Sequence, residues 1–284
     1  MARWAPDVRA YLLDSQFAPR LAWTCDEATG QVALSWNGTP LWSTDRPTAA
    51  TLASQSAHVR NYVDQRGDRG AEVLSQLGLF SAHFGVILGL TGPRNLKTYE
   101  IMAHVLTLAG AATMLPKHML ACRRPDEVDT RIMPMIATPG HGSYPSGHAT
   151  QAFAMATVLS ALIRAEPAHF PDMDKRIDLL YRQAHRIAVN RTVAGVHYPM
   201  DSKAGAALGI QLGRVMTGLM AGGTGPGPAI ALTPNAEADR DFTFADASAL
   251  LAPAAGQTVL PANGLFGWIW TQARAEFAIP AAGA

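Results

Sequence analysis

The stretch Ser143-Tyr144-Pro145-Ser146-Gly147-His148-Ala149-Thr150 sets a turn, a hydroxyl, a glycine and a histidine directly before a long apolar run. Pro145 ends any incoming extended segment, Ser146 is a good helix N-cap, and Gly147 removes a side chain from the first turn. A helix start leaves backbone N–H groups unpaired and carries partial positive charge, so it attracts an oxyanion. His148 follows those donors immediately, placed to give or take a proton. The plain alternative is a serine-capped helix with an exposed histidine.

Two further stretches carry groups suited to the same chemistry. Lys117 and Arg124 stand seven residues apart in Lys117-His118-Met119-Leu120-Ala121-Cys122-Arg123-Arg124-Pro125. Seven residues are two helical turns, so both cations share a face; a solvated basic helix end would read the same way. In the stretch from Asn190 to Asp201, Arg191 precedes His197 by six residues and Asp201 follows it by four. Gly195 to Pro199 cannot be regular helix throughout, which puts His197 on a loop between two helices. Asp201, opening the next helix, could accept from one imidazole nitrogen, fix the tautomer and leave the other free to attack or coordinate. A structural histidine capping a helix is the alternative.

Taken together, Lys-x6-Arg-Pro, then Pro-Ser-Gly-His, then Arg-x5-His-x3-Asp closely resembles the superfamily that joins type 2 phosphatidic-acid phosphatases (PAP2), bacterial class A acid phosphatases and vanadium-dependent haloperoxidases. The resemblance covers Lys117 to about Gly209, and Asn190 departs from it where many phosphatases carry serine. Tyr144 and Ala149-Thr150-Gln151-Ala152 resemble the haloperoxidase branch most. The resemblance implies a cradle for a tetrahedral oxyanion, with positive charge from Lys117, Arg124 and Arg191 and with the Ser146 hydroxyl and Gly147 N–H completing it. His197 would meet the central atom in line, Asp201 would stand behind it, and His148 would serve as acid or base opposite. Vanadate is the implied cofactor, with His197 as its lasting ligand; phosphate can occupy the same site. His141, five residues before Ser146, matches a histidine of algal bromoperoxidases where fungal chloroperoxidases have phenylalanine, while Met114 matches neither group. The favoured expectation is a vanadium-dependent haloperoxidase that oxidises bromide or iodide with hydrogen peroxide and passes the product to a small organic acceptor. The alternative is a soluble PAP2-type acid phosphatase acting through a phosphohistidine at His197. A non-catalytic oxyanion binder fits less well, because every acid, base and nucleophile position is filled.

The elements that must position these groups read as helices. The predicted fold is all-α: a helical bundle over 46–221, with a short hairpin arm over 1–45 and a linker and C-terminal extension over 222–284. Val32, Leu34 and Trp36 alternate with small or polar residues, and Asn37-Gly38 supplies the hairpin turn. Helices are predicted over Thr51–Arg66, broken by Gly67 and Gly70, then over Ala71–Leu90, Leu96–Cys122 with a bend or restart at Pro116, Ala149–Ala165, Asp174–Val193, Ser202–Leu219 and about Leu265–Phe277. The 284 residues carry a net charge of +1 and no basic stripe, which argues against nucleic acid. Cys25 and Cys122 form no metal or disulfide pattern. The N-terminus shows no secretory h-region, and the long apolar runs are interrupted by His104, Gln211 and Arg214, so no membrane span and a cytoplasmic or otherwise soluble protein are expected. The exposed-looking aromatics Trp36, Trp42, Phe266, Trp268 and Trp270 point to packing on the bundle or on a second subunit, with a homodimer the expected state.

Overall fold

A computed structural model of the chain describes residues 1–251 and 259–277; residues 252–258 and 278–284 of the expected C-terminal extension lie outside the described residues. The chain opens with α1 (Pro6–Phe17), whose proline at the first position forfeits only an N–H that would be unpaired anyway. β1 (Leu21–Asp26), β2 (Gln31–Trp36) and β3 (Thr39–Thr44) follow as an antiparallel meander. The β2–β3 turn falls on Asn37-Gly38, both with positive φ, the conformation a two-residue hairpin loop requires. Helices then succeed one another: α2 (Ala49–Asn61), α3 (Arg66–Ser75), α4 (Ser81–Leu88), α5 (Leu96–Ala112), α6 (Met114–Leu120), α7 (Pro125–Val128), α8 (Gly147–Ala165), α9 (Met173–Val193) and α10 (Pro199–Ala221). After them come β4 (Gly223–Thr224), β5 (Ile230–Leu232), α11 (Phe244–Ala249), β6 (Val259–Leu260) and α12 (Gly264–Ala275).

α8 is the centre of the bundle, packed among α5, α9 and α10. Its Ala149, Ala152, Phe153, Ala156 and Leu159 are wholly buried. α10 lies so close to α8 that side chains are excluded between them. A Cβ on Gly205 would stand 2.4 Å from the Ser146 carbonyl oxygen, and one on Gly209 would stand 2.3 Å from the Thr150 carbonyl oxygen. These glycines are the condition for the two helix starts, at Ser146 and at Tyr198, to meet. The Ser146 N–H in fact donates to the Asp201 carbonyl at 2.9 Å.

Four expectations are corrected here. The fold is mainly helical but not all-α: β5 joins β3 in parallel, giving a four-stranded sheet in the order β1-β2-β3-β5, and β4 pairs with β6. The sheet braces the bundle, with Trp42 Nε1 donating to the Ala204 carbonyl at 3.3 Å and the Thr44 and Tyr144 hydroxyls 2.6 Å apart. Second, Gly67 and Gly70 do not end a helix, because both sit inside α3; the break comes instead at Gln76–Phe80, dividing the expected Ala71–Leu90 helix. Third, the expected absence of a membrane span does not stand. The run Leu96–Val128, 33 residues, is apolar and long enough to cross a bilayer by length and composition, with mean hydropathy 1.2 in its best window, 56% of which is buried in the protein. Lys97 and Glu100 stand at its start and the remaining lysines and arginines come at Lys117 and beyond, which leaves an apolar window between them. The exposed-aromatic argument for a homodimer also loses its footing, since Trp36, Trp42, Phe266 and Trp270 are buried within the chain.

Candidate active site

The helix beginning at Pro199 shows how local folding places a reactive group. Tyr198 is its N-cap, and the Asp201 carboxylate folds back to accept the Tyr198 N–H at 3.1 Å. The same Oδ2 accepts the His197 Nδ1–H at 2.8 Å. One carboxylate thus caps the helix and orients the imidazole, which fixes the tautomer and leaves Nε2 as a lone pair. Gly195, at φ +83°, makes the reversal out of α9 that brings His197 back to the cluster.

Three cations act on that lone pair, one of them in contact with it. Arg124, the N-cap of α7, donates from one terminal nitrogen to the Val196 carbonyl at 2.7 Å and to His197 Nε2 at 3.0 Å. Its other terminal nitrogen donates to His141 Nδ1 at 3.1 Å and its Nε to the His141 carbonyl at 3.0 Å. Lys117, on α6, donates to the Gly142 and Ser143 carbonyls, each at 2.9 Å, and so shapes the loop that leads into Ser146. Arg191, in the last turn of α9, gives one nitrogen to the Val73 carbonyl at 3.1 Å, while its buried Nε has no partner among the described residues. A buried, unpaired guanidinium N–H is costly unless an acceptor arrives. Ser146 caps α8, its hydroxyl 3.4 Å from the Ala149 N–H. The structure therefore brings Lys117, Arg124, His197 and Asp201 into one buried cluster, with Arg191 and His148 close enough to act on it electrostatically and with His141 exposed at its edge.

The charges are poised for an anion. Burial, then Arg124 and Lys117, holds the His197 imidazole well below its ordinary range, so it is neutral with a free lone pair. Burial and Arg191 push His148 down to about 4. Burial pushes Arg191 down to about 10. Lys117 is lowered by burial and by Arg124, and Asp201 is raised by burial against the opposing pull of Lys117. A bound oxyanion would counter the mutual repulsion of the cations and restore protons to Lys117 and His148.

Sequence reasoning did not reach the third wall. The Gln76 carbonyl, just past α3, accepts from His148 Nε2 at 2.9 Å, and Phe80 stacks on that imidazole with ring centroids 5.6 Å apart. Leu77 and Leu79 follow directly, 53% and 77% exposed, so an apolar rim adjoins the site. No residue type in this stretch announces a role, because the contact to His148 is made by a backbone carbonyl.

The sequence model of the PAP2 superfamily matches residues 99–222, which hold all three motifs. Decaprenylphosphoryl-5-phosphoribose phosphatase of Mycobacterium tuberculosis is 30% identical over 178 residues, covering 59% of this chain and 87% of that protein. Vanadium-dependent bromoperoxidase of Ascophyllum nodosum is 35% identical over 111 residues, covering 31% of this chain and 20% of that protein. A transmembrane PAP2-type phosphatidylglycerolphosphate phosphatase from Bacillus subtilis superposes with a TM-score of 0.47 at 19% identity, covering 58% of this chain and 83% of that one. Similarity to a phosphatase named for a decaprenyl-linked substrate, together with the apolar run at 96–128, overturns the expectation of a cytoplasmic or otherwise soluble protein.

Proposed function

The chain belongs to the PAP2 superfamily, and from that premise we propose that it is a phosphatase that hydrolyses a phosphate monoester through a phosphoryl group carried on His197. The observation that carries the reading is the His197–Asp201 pair: Nδ1–H is held by the carboxylate at 2.8 Å and the neutral Nε2 faces the cation cluster. The phosphatase relative is matched over 87% of its length and the bromoperoxidase over 20%, which weighs the same way. Leu77 and Leu79 beside His148 favour an ester whose alcohol carries an apolar chain.

The steps follow from the groups present. Lys117, Arg124 and Arg191 hold the phosphoryl oxygens, with the Ser146 hydroxyl and the free N–H groups opening α8 completing the cradle. Arg124 gives up its bond to His197 Nε2 for a phosphoryl oxygen, and Nε2 attacks phosphorus. A P–N bond forms as the P–O bond to the alcohol breaks, and His148 gives its proton to the departing oxygen. The Asp201 carboxylate stabilises the positive imidazole of that intermediate. Water then attacks phosphorus, His148 takes its proton, the P–N bond breaks and phosphate leaves.

A second reading, a vanadium-dependent haloperoxidase, is favoured by His141 against Arg124 and by the 35% identical stretch. The unpartnered Arg191 Nε and the lone pair on His197 suit vanadate as well as phosphate, and Lys117, Arg124, Arg191, Ser146 and His197 would hold it. Vanadate there would supply a Lewis-acidic centre that activates hydrogen peroxide toward halide. The deciding experiment assays one preparation in two arms: p-nitrophenyl phosphate and a micellar long-chain alkyl phosphate without vanadate, and bromide plus peroxide with orthovanadate. Phosphate release, faster from the alkyl phosphate and inhibited by vanadate, is the expected result. Halide oxidation with no phosphate release from either ester overturns it.

A further inference from the structure

α3 lies outside every motif, yet its C-terminal turn touches two groups of the site. The Val73 carbonyl accepts from Arg191 at 3.1 Å, and the Gln76 carbonyl accepts from His148 Nε2 at 2.9 Å. A carbonyl can only accept, so in this arrangement Nε2 carries the hydrogen and Nδ1 is the nitrogen left to exchange a proton. The hold on His148 is therefore only as firm as the hold on one peptide group at a helix end, where helices fray.

Side chains secure that peptide. Gln76 and Asn190 are both fully buried. Asn190 Nδ2 donates to Gln76 Oε1 at 2.9 Å and to Glu72 Oε1 at 3.0 Å, and Gln76 Nε2 donates to the same Glu72 oxygen at 3.1 Å. Arg186, one turn before Asn190 on α9, donates from Nε to both Glu72 oxygens at 2.8 and 2.7 Å. Glu72 and Gln76, four residues apart, present one face of the α3 end to Arg186 and Asn190, four residues apart on α9. Asn190 is also the neighbour of Arg191, so the clasp fixes α3 against the residue that opens the cradle.

We propose that the Glu72–Gln76–Asn190 clasp is a positioning device that, through the Gln76 carbonyl, holds His148 as its Nε2–H tautomer and so assigns the proton exchange to Nδ1. It rests on the reading of His148 as acid and base in phosphoryl transfer. The charged and titratable groups facing His148 are Arg191 from α9, Lys117 from α6, Arg124 from the start of α7 and His197 from the α9–α10 loop. All four lower its proton affinity or leave it unchanged, and the Gln76 carbonyl works the other way, favouring the protonated ring.

The test compares the wild-type chain with Asn190→Ala and with Asn190→Ser, which stays polar should the alanine variant fail to fold but has a single donor that cannot hold both Glu72 and Gln76. Nitrogen-15 spectra of the histidine rings, with His148 assigned by its absence in His148→Ala, report the tautomer without any turnover. The clasp predicts a single Nε2–H form in the wild type and a mixture in both variants. It also predicts kcat lower by about five- to tenfold, the worth of one hydrogen bond, an alkaline limb of the kcat profile displaced to lower pH, and tungstate affinity within about threefold. A merely structural role would lower the melting temperature and leave tautomer and pH profile unmoved, and that result, or a wild type without the Nε2–H form, overturns the proposal. If the wild type releases no phosphate, the phosphatase reading fails while the ring spectra still decide the clasp.

Discussion

Gly205→Ala separates the packing of the bundle from the chemistry of the site. A Cβ on Gly205 would stand 2.4 Å from the Ser146 carbonyl oxygen, 2.9 Å from Ala149 Cβ and 3.2 Å from the Thr150 nitrogen, whereas real Cβ contacts stay above 3.0 Å. α8 and α10 must therefore part by at least 0.6 Å, the gap between 2.4 Å and 3.0 Å. The obstructing atom is backbone, so no rotamer change relieves it. Replacing a helical glycine by alanine gains about 1 kcal/mol of helix propensity, and overpacking costs about 1–3 kcal/mol, so the net loss of stability is about 0–2 kcal/mol. Activity suffers more, because the two halves of the site sit on opposite sides of the forced gap: Ser146 and His148 move with α8, His197 and Asp201 with α10. A misplacement near 1 Å costs about a hundredfold in rate, so kcat should fall about 10- to 100-fold while the melting temperature moves little. Gly218→Ala is the control, since it lies further along α10 and the three atoms nearest its added Cβ all belong to the Leu260 side chain, the one under 3.0 Å being a terminal methyl at 2.8 Å that can turn aside. Steady-state phosphate release and thermal unfolding of both variants decide the matter. A folded Gly205→Ala protein that turns over as fast as Gly218→Ala refutes the claim that close approach at Gly205 sets the geometry of the site.

Two other outcomes follow from the charges. Asp201→Asn keeps a cap for the Tyr198 N–H but removes the charge behind His197; a hydrogen bond to a charged group is worth about 1.5–3 kcal/mol, so kcat should fall about 10- to 150-fold in single-turnover assays, and an unchanged rate would exclude His197 as the nucleophile. Lys117 is held below its ordinary 10.5 by burial and by Arg124 when no anion is bound, and an anion beside it raises that value again. Binding therefore takes up a proton wherever the free lysine has lost one, so affinity is full at low pH and declines as pH rises through the lowered value. Calorimetric titration with tungstate, which stays a dianion over this range, should show that decline below the ordinary lysine range and show it lost in Lys117→Met; a flat profile in the wild type contradicts the assignment.

The residues proposed to carry chemistry were legible in the chain because most sit at or beside a helix end whose residue types also define that end. Ser146 caps α8 and belongs to the proposed cradle, and Asp201 caps α10 and orients His197, so spacing along the chain translates directly into placement. The β2–β3 hairpin was legible for the same local reason, through Asn37-Gly38. β5 was not: three residues pair with a strand almost two hundred positions earlier, and no local pattern encodes such a partner. The run of α3 through Gly67 and Gly70 was missed because the helix is held from outside its own backbone, by Arg66 donating to the Val193 and Met133 carbonyls and by Glu72 to α9.

What supports His148 was hidden for a deeper reason. A side-chain partner leaves a residue type in the sequence, as Asp201 does for His197, but a backbone carbonyl is supplied by any residue. The place of the Gln76 carbonyl depends on where α3 stops, and that depends in turn on the contact of Glu72 and Gln76 with Asn190. Asn190 was visible beforehand only as a departure from a resemblance. In the folded chain the departure has a physical content: an amide with two donors can bond a carboxylate and a second amide at once, which a single hydroxyl donor cannot do.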